Sequence, residues 1–311
     1  MLIDNIAYFA TATIRMATPL LIAALGMVIA ERSGIINIGG EGIMLLGAFT
    51  AYAVARFSQS YWFGLLASMA AGAVMIAVFA VACITYKSNQ NVVGMSINLF
   101  CAGLTSVIYR RLFASTGTIS GMMIESFPNA PIPLLSKIPI LGEVFFDHNI
   151  FVYFGLIMVF VLWWVLKKSS LGIKIIAVGE HPRAADSLGI NVIKTRYLTT
   201  LFSGILLGIA GAYLSIAQTN SFAENMTGGK GYIALAMVVL GTWNPIGIFV
   251  GAILFGGANA LQMTIQNSPD VNIPSKLILM IPYIVTVITV LVSSRNQVNS
   301  PSARGKPYEK S

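Results

Sequence analysis

Nine apolar stretches, most of them near the length needed to cross a bilayer, run along this chain at about residues 14–30, 35–55, 61–86, 92–112, 150–166, 197–217, 231–243, 246–266 and 275–294. Hydrocarbon offers backbone groups no hydrogen-bond partner, so such a stretch of about 20 residues must be helical. The expected fold is an all-α polytopic membrane protein with about nine or ten transmembrane helices. Composition agrees: 56% of the 311 residues are apolar and 10% are charged, whereas a soluble domain carries about 25% charged residues. The net charge of +8 could suggest nucleic acid, but the basic residues sit at the ends of apolar spans. Membrane topology accounts for them better, and no nucleic-acid partner is expected.

Short cytoplasmic loops carry an excess of Lys and Arg. The stretch from Lys167 to Arg196 holds Lys167, Lys168, Lys174, Arg183, Lys194 and Arg196 against Glu180 and Asp186, which puts it in the cytoplasm. It contains Gly179-Glu180-His181-Pro182-Arg183-Ala184-Ala185-Asp186-Ser187-Leu188-Gly189, a compact helical piece on which another protein could push. Four later spans return the C-terminus, with Arg295, Arg304, Lys306 and Lys310, to the cytoplasm. Counting backwards puts Arg32 and Lys87 inside, and Arg56, Arg110, Arg111 and the N-terminus outside. The outer arginines run against the charge bias, so a tenth span or an in-plane N-terminal helix stays open. Met1 to Tyr8 carries Asp4 and no basic residue, so the first span is expected to remain in the membrane rather than act as a cleaved leader. The domain plan is one transmembrane domain over 1–294, an external loop over 113–149, a cytoplasmic loop over 167–196 and a basic cytoplasmic tail over 295–311. Pro128, Pro131, Pro133 and Pro139 make the external loop an ordered cap rather than a flexible linker.

Two spans are interrupted. The second opens on Asn37-Ile38-Gly39-Gly40-Glu41-Gly42, where glycines and a carboxylate disfavour continuous lipid-facing helix. The seventh lies between Gly228-Gly229-Lys230-Gly231 and Gly241-Thr242-Trp243-Asn244-Pro245, too short to span upright. It is a half-helix or a span completed by unwound backbone, and either form needs a protein or water lining. Each break places a Gly-x-Gly pair, Gly40 and Gly42 or Gly229 and Gly231, before an apolar helix, as corresponding parts of two repeated halves would. Gly204-x-x-x-Gly208 with Ala210-Gly211-Ala212, and Gly251, Gly256, Gly257 and Ala258, supply faces for close helix packing inside the chain.

No catalytic pair is available in the spans: Asp147, Asp186, Asp270, His148 and His181 fall in loops, and Asp4 near the terminus. Gly228-Gly229-Lys230-Gly231 lacks the spacing and the hydroxyl residue of a phosphate-binding loop. Cys83 and Cys101 lie in apolar segments as inert core thiols, so neither a metal site nor a cofactor is expected. The polar residues left within spans are mainly amides and hydroxyls, notably Asn37, Asn98, Asn244, Asn259 and Gln262, with Glu41 as the candidate carboxylate near membrane depth. They either line a pathway for an uncharged polar solute or satisfy backbone freed by the breaks, and Glu41 could instead relay protons.

Ala30-Glu31-Arg32-Ser33-Gly34-Ile35-Ile36-Asn37-Ile38-Gly39-Gly40-Glu41-Gly42 resembles the opening motif of permease subunits of bacterial ABC importers for nucleosides and simple sugars. Asn91 to Asn98, Ala177 to Ile190 and Gly229 to Gly241 resemble later signatures in the same order, so the resemblance covers about Ile14 to Val292. The short external segment Pro128 to Gly142 and the Glu-Arg-Ser-Gly start are most similar to the nucleoside branch, in the smaller of its two paired permeases. The resemblance implies a multi-pass protein of the bacterial cytoplasmic membrane, a separate ABC ATPase subunit, a second permease in a heterodimeric pore, an extracytoplasmic solute-binding lipoprotein and a nucleoside solute. No enzyme activity is implied for this chain.

The same resemblance assigns Gly179, Glu180, Pro182, Arg183, Ala184, Ala185 and Gly189 to a short coupling helix seated in the ATPase. Arg183 stands where the family commonly has glutamate, and its more distant Ile and Leu-Pro portion is not recognisable. Other readings are a permease for ribose-like sugars or branched-chain amino acids, a proton-coupled secondary transporter and an ion channel.

Overall fold

The computed structural model describes residues 2–113, 127–131, 142–266, 274–293 and 300–309. Asp270, Pro133, Pro139, Arg295, Lys310 and most of the expected external loop lie outside the described residues. The elements, in chain order, are α1 (Leu2–Arg32), α2 (Gly40–Ser58), α3 (Tyr61–Ala80), α4 (Gln90–Phe113), α5 (Ile150–Lys168), α6 (Ser170–Glu180), α7 (Pro182–Ser187), α8 (Val192–Ala212), α9 (Lys230–Leu240), α10 (Pro245–Gln266), α11 (Ser275–Ile278) and α12 (Ile281–Ser293). Wider π turns continue α3 over Val81–Thr85 and α8 over Tyr213–Gln218. Among the described residues there is no strand, only one isolated bridge between Asn129 and Asn149.

Each of the nine expected apolar stretches meets a helix, although the ninth, expected as one span over 275–294, is divided by a turn into α11 and α12, and six helical segments are long and apolar enough to cross a membrane. α1 is a single helix through Pro19, so no separate in-plane helix precedes the first span among the described residues. Both interruptions appear as breaks in helix. α2 starts only at Gly40, after the non-helical stretch 34–39, and α9 has 11 residues. At about 1.5 Å per residue α9 is about 16 Å long, half of an apolar core about 30 Å thick.

Hydrogen bonds sort the helix ends into two faces. On one, Ile36 N–H donates to Gln90 at the start of α4, Arg32 donates to the Trp243 carbonyl before α10, and Arg196 near the start of α8 donates to the Ser33 carbonyl. This face also carries Lys87, Lys167, Lys168, Lys174 and Arg183 and is called the basic face here. On the opposite face Arg110 at the end of α4 pairs with Glu224, and the Tyr213 hydroxyl donates to the Arg15 carbonyl.

α1 and α8 form the centre, with 78% and 83% of their apolar windows buried, against 33–39% for α3, α4, α5 and α10. Small residues set the approach of α8 to its neighbours. A Cβ on Gly204 would strike Ile76, one on Gly208 the Ser68 carbonyl, and one on Gly211 the Met44 carbonyl. The expected glycine face is therefore used inside the chain, against α2 and α3. The outer helices turn Val78, Leu99, Phe160 and Val250 outward, as suits a lipid boundary. Cys83 and Cys101 are free and buried.

Candidate functional site

The two interruptions meet each other. Glu41, in the first turn of α2, accepts the Gly229 N–H at 2.8 Å on Oε1 and the Gly231 N–H at 2.6 Å on Oε2. These are orphan amides at the start of α9, where the helix dipole favours a carboxylate. Asn98 of α4 sits beside them. Its Oδ1 accepts the Gly42 N–H at 2.8 Å, and its Nδ2 donates to the Ile38 carbonyl at 3.0 Å and the Tyr232 hydroxyl at 2.8 Å. From α12, the Tyr283 hydroxyl donates to the Gly228 carbonyl at 3.1 Å. Asn98 lies eight residues beyond Gln90, about 12 Å in from the basic face along α4. The junction is thus near mid-depth, and α9 runs from it back to the basic face.

Of the remaining expected pathway residues, Asn37 belongs near this junction. It is fully buried, and among the described residues neither Oδ1 nor Nδ2 has a hydrogen-bond partner. Such an unpaired amide costs about 1–3 kcal/mol. Asn244 is elsewhere: its Oδ1 accepts the Ile246 N–H at 3.2 Å in the first turn of α10, at the basic face. Asn259 donates to the Phe255 carbonyl of its own helix, and Gln262 pairs with Gln266. These two lie about 22–27 Å along α10 from Asn244, toward the opposite face.

The expected coupling segment is a real short helix. Pro182 opens α7, and Gly189 follows it at φ 81°, a left-handed value that suits glycine. Its amide donates to the Asp186 carbonyl and the Ile190 amide to the Ala185 carbonyl, both bonds closing the helix end. Ala185 is buried with Val178 and Val192, while Arg183 and Ala184 are exposed.

Residues 300–309, expected as part of a basic tail, pack back onto this face. Ala303 N–H donates to the Gly179 carbonyl and Gly305 N–H to the Gly34 carbonyl, each at 2.9 Å. Ser302 bonds Glu180 through its amide and its hydroxyl, and Lys306 gives its carbonyl to Arg196 at 3.0 Å. Arg304 reaches deepest. Its Nε donates to Glu31 Oε2 at 2.8 Å, and its guanidinium lies over the Trp243 ring at 5.2 Å. Glu31 has no exposed surface and also accepts the Trp243 indole N–H at 2.6 Å. The phenol of Tyr308 is raised above its ordinary pKa, first by partial desolvation and then by Asp186 alongside.

The Glu31, Arg304 and Trp243 cluster escaped the site assignment made from sequence. Glu31 stood inside a recognised motif, but its partners are 212 and 273 residues away and no local pattern links them. On the opposite face, bonds from Arg110 and then Ser106 hold the Glu224 carboxyl below the ordinary carboxylate range. Among the described residues no group of three or more His, Cys, Asp or Glu is placed to hold a metal ion.

Comparison with known proteins places the geometry in context. The family described as "Branched-chain amino acid transport system / permease component" matches residues 9–290. A relative named guanosine ABC transporter permease protein NupQ, from Bacillus subtilis, is 37% identical over 99% of this chain and 98% of its own length. Nucleoside ABC transporter permease protein NupC of Lactococcus lactis is 36% identical over 95% of this chain and 94% of its own. A putative glucose ABC transporter permease protein, TsgC13 of Haloferax volcanii, is 40% identical over 82% of this chain and 77% of its own.

Proposed function

Because this chain belongs to the family of branched-chain amino acid transport system permease components, we infer that it forms half of the translocation pathway of an ATP-driven ABC importer whose solute is a nucleoside. The observation that carries the reading is the mid-depth junction, where Glu41 joins the start of the half-helix α9 to the start of α2. Discontinuous helices meeting near the midplane are how transporters expose polar groups to a solute while shielding broken backbone from lipid. The Tyr232 hydroxyl and the unpaired amide of Asn37 offer neutral hydrogen-bonding groups there, positioned by Asn98, whose amide is engaged with Gly42, Ile38 and Tyr232, and this suits an uncharged polar solute. Both Glu41 oxygens already accept amide bonds, and this favours a positioning role over a proton relay. Asn244, Asn259 and Gln262 follow the same route toward the two faces.

The basic face is cytoplasmic by the charge rule, which puts residues 300–309 inside the cell and Glu224 outside, in a bacterial cytoplasmic membrane. There α7, with Gly179, Glu180, Pro182, Arg183, Ala184, Ala185 and Gly189, seats in a separate ATPase subunit that supplies the hydrolysis this chain lacks. A second permease completes a heterodimeric pore, and a solute-binding lipoprotein delivers nucleoside to the outer face. The relative named as a putative glucose permease supports a sugar as the second reading.

Uptake of radiolabelled nucleosides and ribose, in cells with and without the gene, tests this reading with the proton gradient collapsed and ATP maintained. Nucleoside uptake should vanish on deletion. Retained nucleoside uptake with reduced ribose uptake overturns the solute, and uptake that follows the gradient instead of ATP overturns the ABC reading.

A further inference from the structure

The segment 300–309 does more than cover the basic face. Between it and α7 lies an open cleft of about 490 Å³, with Pro182, Arg183 and Ala184 on one wall and Ser302, Lys306 and Pro307 on the other. The cleft is electropositive: Arg183 and Lys306 stand on opposite walls, and the one carboxylate lining it among the described residues, Glu180, gives Oε2 to both the amide and the hydroxyl of Ser302. Backbone bonds from Ala303 to Gly179 and from Gly305 to Gly34 hold the second wall, so its position does not depend on the cationic side chains.

We propose that the ATPase subunit docks on a composite surface made of α7 and the C-terminal strap 302–307, and that it presents a carboxylate to Arg183 and Lys306 across this cleft. The inference rests on the reading of α7 as the coupling helix. A partner seated there touches the strap within two residues of Arg304 on both sides, at Ser302 and Ala303 and at Lys306, and the Arg304 guanidinium bonds Glu31 and covers Trp243. Trp243 belongs to the turn that closes α9, and Arg32 also bonds that turn, at the Trp243 carbonyl. Pressure on the cleft is therefore delivered through Arg304 to the inner end of the half-helix as well as through α6 and α7. Two contacts on opposite walls fix the direction of such a push better than one six-residue helix.

The test uses the full complex, formed by co-expressing this chain with its second permease and ATPase subunit and reconstituting it in lipid nanodiscs. Arg183→Glu, Lys306→Glu and Glu309→Gln are compared for retention of the ATPase subunit, with the thermal midpoint of the permease measured in parallel. Arg183→Glu and Lys306→Glu should each weaken retention about tenfold or more, as reversal of a contact charge does, at an unchanged midpoint. Glu309→Gln, which among the described residues removes just the exposed pair with Lys87, should leave retention unchanged. Loss with Arg183→Glu but normal retention with Lys306→Glu overturns the composite surface and leaves the coupling helix standing. Normal retention with both overturns the coupling reading itself.

A second measurement does not depend on charge. Pro307 is exposed and the native Cys83 and Cys101 are buried, so a cross-linker attached at Pro307→Cys reports on the strap alone. A covalent adduct with the ATPase subunit is expected, and absence of the adduct in an assembled complex overturns the proposal.

Discussion

Two carboxylates, Glu31 and Glu41, flank the same broken stretch and secure opposite ends of the same half-helix. They do so by different chemistry. Glu41 binds the start of α9 through two backbone amides, a local cap whose partners are glycine N–H groups. Glu31 binds the far end through a side-chain indole and a guanidinium brought from the C-terminal strap. A cap of the first kind needs only a carboxylate at a helix start. The second kind needs a charge removed from water, and a buried ion is tolerable only while its partner stays in place. The junction at mid-depth is thus held by backbone geometry, and the inner end of α9 depends on a segment that a partner could move.

The largest expected effect comes from breaking the Glu31 side. Arg304→Ala leaves a fully buried carboxylate without its ion-pair partner and should cost about 3–5 kcal/mol, read as a large fall in the thermal midpoint of the detergent-purified chain. Glu31→Gln with Arg304→Gln removes both charges and should recover most of that loss. If Arg304→Ala alone leaves the midpoint unchanged, the contrast between the two carboxylates is wrong.

Glu41→Gln comes next. An amide side chain can accept one bond from the start of α9 but presents its own N–H₂ to the other donor. Loss of a charge-assisted bond of about 1.5–3 kcal/mol should appear as faster hydrogen exchange at Gly229 and Gly231, with reduced uptake. The midpoint should fall less than with Arg304→Ala. Equal falls would mean that both ends of α9 are held by burial alone.

Asn98→Ala, which strands the Gly42 amide and frees Tyr232, should cost about 1–2 kcal/mol and sharpen the junction side of the comparison. Its Asn98→Asp counterpart keeps the acceptor but loses the donor to Ile38 and Tyr232. Uptake that survives Asn98→Asp at the wild-type level would limit the residue to holding α2.

The smallest effect belongs to Glu224, the exposed ion pair on the opposite face. Its folded pKa is depressed by Arg110 and then Ser106. The pair's contribution is therefore present above the ordinary carboxylate range and is lost as pH falls through the lowered value. The midpoint difference between wild type and Glu224→Gln should be small at neutral pH and disappear in acid. A difference that grows in acid would contradict this sign.

Much of the fold was legible because a bilayer imposes one rule on the chain: apolar segments of sufficient length become helices. The stretches expected at 61–86, 92–112, 150–166 and 246–266 match α3 with its π turn, α4, α5 and α10 to within a few residues. The breaks were equally legible, since Gly39-Gly40-Glu41-Gly42 and Gly228-Gly229-Lys230-Gly231 carry glycine and charge where a lipid-facing helix tolerates neither. The spread of Asn244, Asn259 and Gln262 along α10 was also implicit, because helical rise separates them.

The sequence alone determined the membrane class, most of the long helices, the two breaks and the short helix with Pro182 at its start and Gly189 at its end. All of these follow from local length, polarity and backbone preference. Tertiary structure alone decided that the two breaks meet at Glu41, that α8 buries its glycines against α2 and α3, and that Ser302 to Lys306 return to the basic face. The physical reason is that a hydrogen bond or a buried ion pair depends on distance in space. Glu31 and Arg304 are 273 residues apart in the chain, and no local propensity records that they touch.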